Sequence, residues 1–510
     1  MPGSDHNMPS VSLSNYIIEP EALKLIPESI ARKYTMVPIF KIRETLTVAI
    51  PNTSDIVALD EARLASGCDI QAIRADESEI IMVIEQNYNI SDSIEEIVKG
   101  LEGMKVDFLS GKKIDAQRME KIVGEPPIIR LVNLIIFQAL KDRASDIHIE
   151  PEEKNIQVRF RIDGILHNVL TFSLEMLMPI VCRIKVISKL NIVESRLPQD
   201  GHFSMSIGER NIDLRVSTFP ITFGEKVVMR VLDRSTTLLS LDKLGFSPEV
   251  LEKFEVMIQK PYGIILVTGP TGSGKSSTLY ASLGSIKSQD RNIVTLEDPR
   301  EYIFEGINQA EVNPAIGFTF ANGLRSILRQ DPDIILVGEV RDAETAEISI
   351  RAALTGHLVL TSLHTNDASG AVTRLINMGI EPFLIASSLI GVLAQRLVRV
   401  ICPNCKEEYA ASEEVYKRLG LSKDKSIHLY RGKGCVQCRN SGYKGRIGIF
   451  EAMVLDDNLR ELIISNKPAS AIKEAAKTAG MSLLEDDGFD KVLKGITTIE
   501  EVLRVAFIDE

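Results

Sequence analysis

With 510 residues, 44% of them hydrophobic and 25% charged, the chain has the composition of an ordinary globular protein with room for three or four separate cores, which excludes the disordered and fibrous classes. A formal net charge of −11 argues against broad attraction to DNA or to an anionic bilayer, so no nucleic-acid partner is expected. No apolar stretch approaches the roughly 18 residues of a membrane span, and the N-terminus lacks a basic region followed by an apolar run, so a cytosolic chain with no transmembrane segment is expected.

In chain order, short β-rich runs such as Leu46-Thr47-Val48-Ala49-Ile50 alternate with helical patterns such as Asp55 to Ser66, which predicts a small α/β domain over residues 1–90. Residues 91–125 are charged and carry Gly100, Gly103, Gly111 and Gly124, the pattern of a linker with helical segments. A second α/β domain is expected over 126–235, with strands at Ile156 to Arg161, Phe203 to Ile207, Asn211 to Ser217 and Val227 to Leu232. Further on, the apolar run Gly263 to Thr268 leads into a glycine loop and a helix at Ser276 to Ser285. Buried strands follow at Asn292 to Leu296, Asp333 to Val337 and Leu358 to Ser362. Continuous apolar strands alternating with helices specify a parallel sheet covered on both faces, here over 245–400. Residues 401–445 hold four cysteines, and 446–510 are expected to be helical.

The glycine loop is Gly269-Pro270-Thr271-Gly272-Ser273-Gly274-Lys275-Ser276, followed by Ser277. A phosphate chain can be held closely only where side chains do not cover the backbone N–H groups, and the three glycines supply that access. Lys275 would neutralise the β and γ phosphates of ATP, Ser276 would ligate Mg²⁺, and the N-terminus of the following helix adds favourable partial charge. A bare glycine-rich turn would not need the buried strand before it and the helix after it.

Hydrolysis also needs a carboxylate near water. Glu339, after the apolar run Asp333 to Val337, is the expected base, although Gly338 before it departs from the general P-loop pattern, in which the strand ends in Asp. A second acidic group, Glu297-Asp298-Pro299-Arg300-Glu301, would hold metal-bound water or simply form a charged loop. His357 and His364 bracket Leu358 to Ser362 and are both expected near the carboxyl edge of the sheet, where ligands of such sheets gather. A lone histidine is more often structural.

Cys68 and Cys182 stand alone, whereas Cys402, Cys405, Cys435 and Cys438 form two C-x-x-C knuckles separated by 29 residues. In a reducing compartment this spacing suits one tetrahedral Zn²⁺, and four thiolates leave no open position for catalysis, so the zinc is expected to be structural. No thioredoxin-type βαβ pattern lies nearby to favour a redox pair.

Taken together, G-P-T-G-S-G-K-S, T-L-E-D-P-R-E, the G-E-V-R step at Gly338 to Arg341 and T-G-H-L-V-L-T-S-L-H-T-N resemble the secretion ATPase superfamily, in whose terms they are the Walker A, aspartate box, atypical Walker B and histidine box. The resemblance extends from about Ile128 to Val505. It implies a RecA-like ATPase core after a PAS-like second domain, and a hexameric motor. It further implies Glu297 in the aspartate box, Glu339 in hydrolysis, His357 and His364 as couplers of nucleotide state to movement, and Arg215, Arg230, Arg325, Arg329 and Arg341 approaching the phosphates, some from a neighbouring subunit. The chain departs from the family where Ser276 and Ser277 replace frequent threonines, where Arg300 replaces an aliphatic residue, and where His202 follows L-P-Q-D-G.

Retraction motors of the pilus branch lack a cysteine module, which leaves type II secretion and type IV pilus-assembly ATPases. The runs Gly391 to Lys406 and Asp486 to Val502, with a single short N-terminal domain, look most like the type II secretion branch. Residues 1–90 would then dock on an inner-membrane assembly protein. The readings from other classes are a RecA-like nucleic-acid translocase and a nucleotide-binding scaffold without turnover.

Overall fold

The computed structural model describes Leu13 and residues 20–23, 25–77, 79–81, 84, 126–207, 210–233, 240–410 and 428–506, so the linker expected at 91–125 lies outside the described residues. Contacts divide the chain into two compact units, one holding most residues before Arg230 and the other most residues after it.

In the first unit, β1 (Val37–Ile42) pairs antiparallel with β2 (Thr45–Ile50), which pairs in parallel with β3 (Asp69–Arg74) across the helix Ile56–Ser66. Asp55 caps that helix by accepting from the Ala58 N–H at 3.1 Å, and Gly67 ends it with φ +62°, a conformation that costs glycine little. The helix buries only Ala58 and Ala62, while Ile56, Val57 and Leu64 are exposed.

The same unit contains most of a six-stranded sheet in the order β6-β5-β4-β9-β8-β7, from β4 (Asp146–Pro151), β5 (Asn155–Ile162), β6 (Ile165–Ser173), β7 (Gln199–Ile207), β8 (Arg210–Ile221) and β9 (Gly224–Asp233). Strand alternation separates its two faces. Ile147, Ile149, Ile156, Val158, Phe160, Val227 and Met229 are buried. Their neighbours in sequence, Asp146, His148, Glu150, Arg159, Arg161, Lys226 and Arg230, form a charged face in which Glu150 pairs with Arg159 at 2.5 Å and Lys226 at 2.6 Å. β4 and β6 were not expected from the sequence pattern. The polar alternation of Asp146-Ile147-His148-Ile149-Glu150 is short, and its partners lie up to 84 residues away.

The second unit is built on a seven-stranded sheet in the order β12-β11-β13-β14-β10-β15-β18. Its strands are β10 (Gly263–Thr268), β11 (Ile293–Glu297), β12 (Asn308–Glu311), β13 (Ile334–Val337), β14 (Leu358–Leu363), β15 (Leu389–Ile401) and β18 (Tyr443–Val454). All neighbours are parallel except β15 and β18. The expected α/β fold with a mostly parallel sheet is therefore present, with an antiparallel edge. Successive residues of the central strands enter different cores: Leu266, Ile335, Val337 and Val359 one, and Ile265, Val267, Leu336, Leu358 and Leu360 the other. Both faces are covered, which is why these strands read as continuous apolar runs.

Between β15 and β18 the chain forms the hairpin of β16 (Lys406–Ala410) and β17 (His428–Gly432) and brings the four cysteines together. The helical stretch expected from 446 begins later, because Arg446 to Val454 belong to β18 and the C-terminal helices start at Asp457–Ile464. The last helix, Ile499–Ala506, is tied to β15 by Glu501, whose carboxylate is 2% exposed and accepts from the Arg399 backbone N–H at 3.1 Å and from its guanidinium at 2.5 Å. Against its own burial, Arg504 and Arg399 hold the Glu501 carboxyl down to about 2. Among the described residues, no helix is long and apolar enough to cross a membrane.

Candidate nucleotide site and cysteine cluster

Four parallel strands end at one rim of the seven-stranded sheet. Thr268 of β10 is level with Leu363 of β14, Thr361 of β14 with Val337 of β13, and Val337 with Leu296 of β11. The rim thus carries the glycine loop after β10, Glu339 after β13, Glu297 and Asp298 at the end of β11, and His364 after β14. This is the carboxyl edge at which open α/β sheets bind ligands.

The loop turns at Gly269 and enters the helix Lys275–Ile286 at Gly274, which has φ +89°. A Cβ on Gly269 would stand 2.5 Å from the Gln395 carbonyl oxygen, and one on Gly274 would stand 2.8 Å from Gln395 Nε2, so no larger residue fits either position. Lys275 Nζ donates to the Gly269 and Pro270 carbonyls at 2.8 and 3.1 Å. Burial pushes its ammonium down to about 8, against the pull of Glu339 and with Arg396 adding to the depression. A phosphate arriving beside it would restore the charge. The Ser276 hydroxyl faces Glu301 Oε1 at 3.5 Å, which makes Ser276 and Glu301 a pair of oxygen donors suited to Mg²⁺ and its water.

Glu339 accepts from Arg341 Nη2 at 2.5 Å and lies 3.3 Å from His364 Nε2, and Arg341 also donates to Asp298 at 2.9 Å. Against its partial burial, Arg341 and His364 hold the Glu339 carboxyl below the usual range, so it is ionised and able to take a proton.

Glu297 is buried and turned inward. It accepts from Tyr280, from Thr295 at 2.6 Å and from Gln309 at 3.2 Å. Three donors occupy its carboxylate, and the Tyr280 hydroxyl that it holds accepts from the Glu301 backbone N–H at 3.3 Å. Glu297 is therefore placed to orient Glu301, which the sequence offered only as part of an acidic group that would hold metal-bound water or form a charged loop.

His357 is not at this rim. It immediately precedes β14, and its carbonyl accepts from Gly263 N–H at the start of β10 at 3.1 Å. A strand of six residues separates its two ends by about 20 Å, so the expectation that both histidines share the carboxyl edge is corrected. His357 Nδ1 lies 2.9 Å from the Ala352 carbonyl, at the end of the preceding helix.

The arginines also separate. Arg341 is at the rim. Arg325 binds Glu344 and, at 3.2 Å, Asn322, while Arg329 donates to the Arg325 carbonyl at 2.9 Å. Arg215 lies on β8 and Arg230 on β9, in the other sheet, where Asp146 holds Arg230 at 3.1 Å.

In the cysteine cluster, Cys402 and Cys435 sulfurs are 3.8 Å apart, Cys405 and Cys438 3.7 Å, and Cys435 and Cys438 3.6 Å. Four sulfurs about 2.3 Å from a tetrahedral zinc ion stand about 3.8 Å from one another, so the residues fit the ion. Against burial, backbone N–H groups of Cys435 and Gly442 bring the Cys438 thiol down to about 7, favouring the thiolate that a metal takes.

Residues 121–504 match the family described as Type II/IV secretion system protein, and residues 6–94 match the MshEN domain. The chain is 45% identical over 503 residues, 98% of its length and 89% of the relative's, to the Type IV pilus assembly ATPase PilB of Myxococcus xanthus. It is 54% identical over 381 residues, 75% of its length and 76% of the relative's, to the Type II secretion system ATPase E of Vibrio cholerae. Among solved structures it resembles the pilus retraction motor PilT with bound ADP, at 26% identity and a TM-score of 0.51 over 74% of this chain and 96% of that one. On the match over residues 121–504 and these identities, the chain belongs to the Type II/IV secretion system protein family, as one of its ATPases.

Proposed function

We propose that the protein is a homohexameric, Mg²⁺-dependent motor that hydrolyses ATP in the cytoplasm, at the inner membrane, to power pseudopilus assembly and protein export by a type II secretion system. The observation that carries the reading is the meeting of Lys275, Ser276, Glu339 and His364 at one sheet rim, from three separate stretches of sequence. Lys275 and the loop N–H groups bind the phosphates. Ser276, with Glu301 nearby, would hold Mg²⁺, which would supply charge neutralisation to the phosphates. Glu339 takes the proton from the attacking water, and Arg341 exchanges its hold on Glu339 for the phosphate, which frees the base only when nucleotide is present.

Arg215 and Arg230 complete the site of a neighbouring subunit, and His357, at the opposite rim, acts away from its own subunit's phosphates. Cys402, Cys405, Cys435 and Cys438 hold one structural Zn²⁺. Residues 1–90 grip an inner-membrane assembly protein, for which Ile56, Val57 and Leu64 offer exposed apolar contact.

Mixing subunits carrying Lys275→Ala with subunits carrying Arg215→Ala and Arg230→Ala tests the shared site. Recovered ATPase activity is expected, and no recovery in rings shown to be mixed would place the whole site in one chain. Deleting residues 1–90 is expected to abolish inner-membrane association while leaving basal ATPase activity. The 45% identity to a pilus-assembly ATPase over 98% of the chain favours pilus assembly as the second reading. The identity of the inner-membrane protein that co-purifies with the full chain decides between the two.

A further inference from the structure

β15 carries two buried polar residues side by side, Gln395 at 1% and Arg396 at 4% exposure, in the middle of a strand whose other side chains are apolar apart from Arg399. β10 pairs with β15 as far as Thr268 opposite Ala394 and then leaves the sheet as the glycine loop. Gln395 therefore stands where the partner strand has turned away, and it fills the space beneath the loop. Its side-chain oxygen accepts from Thr278 Oγ1, one turn into the helix that follows the loop, at 2.7 Å. Its carbonyl, together with Ser273 Oγ, crowds the place of a Cβ on Gly269, and its side-chain nitrogen crowds that of one on Gly274.

Arg396 points the other way along the rim. Its Nη2 donates to the Asn366 carbonyl at 2.8 Å and to Asn366 Oδ1 at 3.2 Å, two residues after His364. Its charge is offset by Glu451 and Asp367, and it acts electrostatically on Lys275. Its buried Nε has no hydrogen-bond acceptor among the described residues. A side chain kept for packing alone gains nothing from that cost.

We propose that Gln395 and Arg396 are paired positioning residues: Gln395 holds the phosphate loop in its binding shape, and Arg396 holds the loop from His364 to Asp367 so that His364 meets Glu339. One strand thereby sets both halves of the reaction, and the two halves separate by mutation. The proposal rests on the ATPase reading of this rim.

The test uses the full chain and reads kcat, KM for ATP, affinity for a fluorescent ADP analogue, and melting temperature. Arg396→Lys keeps the charge but loses the two-pronged grip on Asn366. It is expected to lower kcat at least about tenfold, with KM and ADP affinity within about threefold of wild type. Gln395→Met keeps the volume but loses the acceptor for Thr278. It is expected to raise KM and weaken ADP binding about tenfold with a smaller change in kcat, and Thr278→Val is expected to reproduce it, the double variant being no worse than either single one. Falls in kcat that accompany a lower melting temperature, with KM unmoved in both variants, would make the pair merely structural. Values near wild type in both would overturn the proposal as well. A wild-type chain that neither binds nor hydrolyses ATP would instead remove the ATPase reading beneath it.

Discussion

The phosphate rim and the cysteine cluster both adjoin one strand, β15, and are assembled in opposite ways. The rim gathers residues 269–276, 301, 339 and 364 from the loops that follow separate strands, with Gln395 of β15 beneath them, and the strand register of the sheet sets their spacing. The cluster gathers two knuckles whose sulfurs crowd within 4.8 Å of one another, and among the described residues between them Leu429 alone is a buried hydrophobic. In one place the fold makes the site, and in the other the site makes the fold. Loss of a rim residue should therefore cost chemistry with little stability, and loss of a cysteine should do the reverse.

The largest expected effect belongs to the rim. Glu339→Gln should leave ATP binding near normal while turnover falls at least about a hundredfold, the scale set by removing a positioned base. Melting in the absence of nucleotide should stay within a few degrees of wild type. Turnover at the wild-type rate would take Glu339 out of the mechanism.

At the cluster, Cys405→Ser combined with Cys435→Ser should take zinc from one ion per chain to near none by elemental analysis. Residues 401–445 should become protease-sensitive because the binding energy of the ion is also folding energy. Zinc-free wild-type protein, purified without chelator, would contradict the assignment. An equally large loss of activity per folded molecule in this variant would show that the two sites are less independent than their construction suggests.

The smallest effect lies between them, at Glu501. Its carboxyl is depressed from 4.5 to about 2, so it contributes stability that is fully present above about 4.5 and is lost as pH falls toward 2. Glu501→Gln should lower the melting temperature by several degrees at pH 7, and the gap from wild type should narrow progressively below pH 4.5. A gap independent of pH would mean that packing, not charge, ties the last helix to β15.

The glycine loop, Glu339 and the cysteines were legible in the sequence because each depends on local spacing and on the strand or turn beside it. The positions of the two histidines were open to the same reasoning, yet His357 was misplaced. Residues at opposite ends of one strand reach opposite rims, and only His364 follows its strand. Gln395 and Arg396 were not legible as site residues. Their part depends on β15 lying next to β10 rather than elsewhere in the sheet, and strand order is a tertiary fact that periodicity does not carry. Glu297 and Glu301 differ for a similar reason, since Tyr280, Thr295 and Gln309 decide which carboxylate turns inward.

β15 does not stop where β10 does. Its residues 395–401 run on beside β18, from Gln395 opposite Phe450 to Ile401 opposite Tyr443, a ribbon of about 23 Å by strand geometry. The ribbon leaves the sheet on the side of Lys275 and Glu339 and ends at Cys402. Along it, Arg399 is bound to Glu501 and the Ile401 N–H to the Ile496 carbonyl, so the terminal helix travels with it. Cluster, ribbon and last helix are thereby tied into a single boom, and a tilt of about 5° at Gln395 would swing its tip by about 2 Å. A spectroscopic ruler between the cluster and β14 should lengthen or shorten by that amount when ADP replaces ATP, and an unchanged distance would mean that the boom is locked.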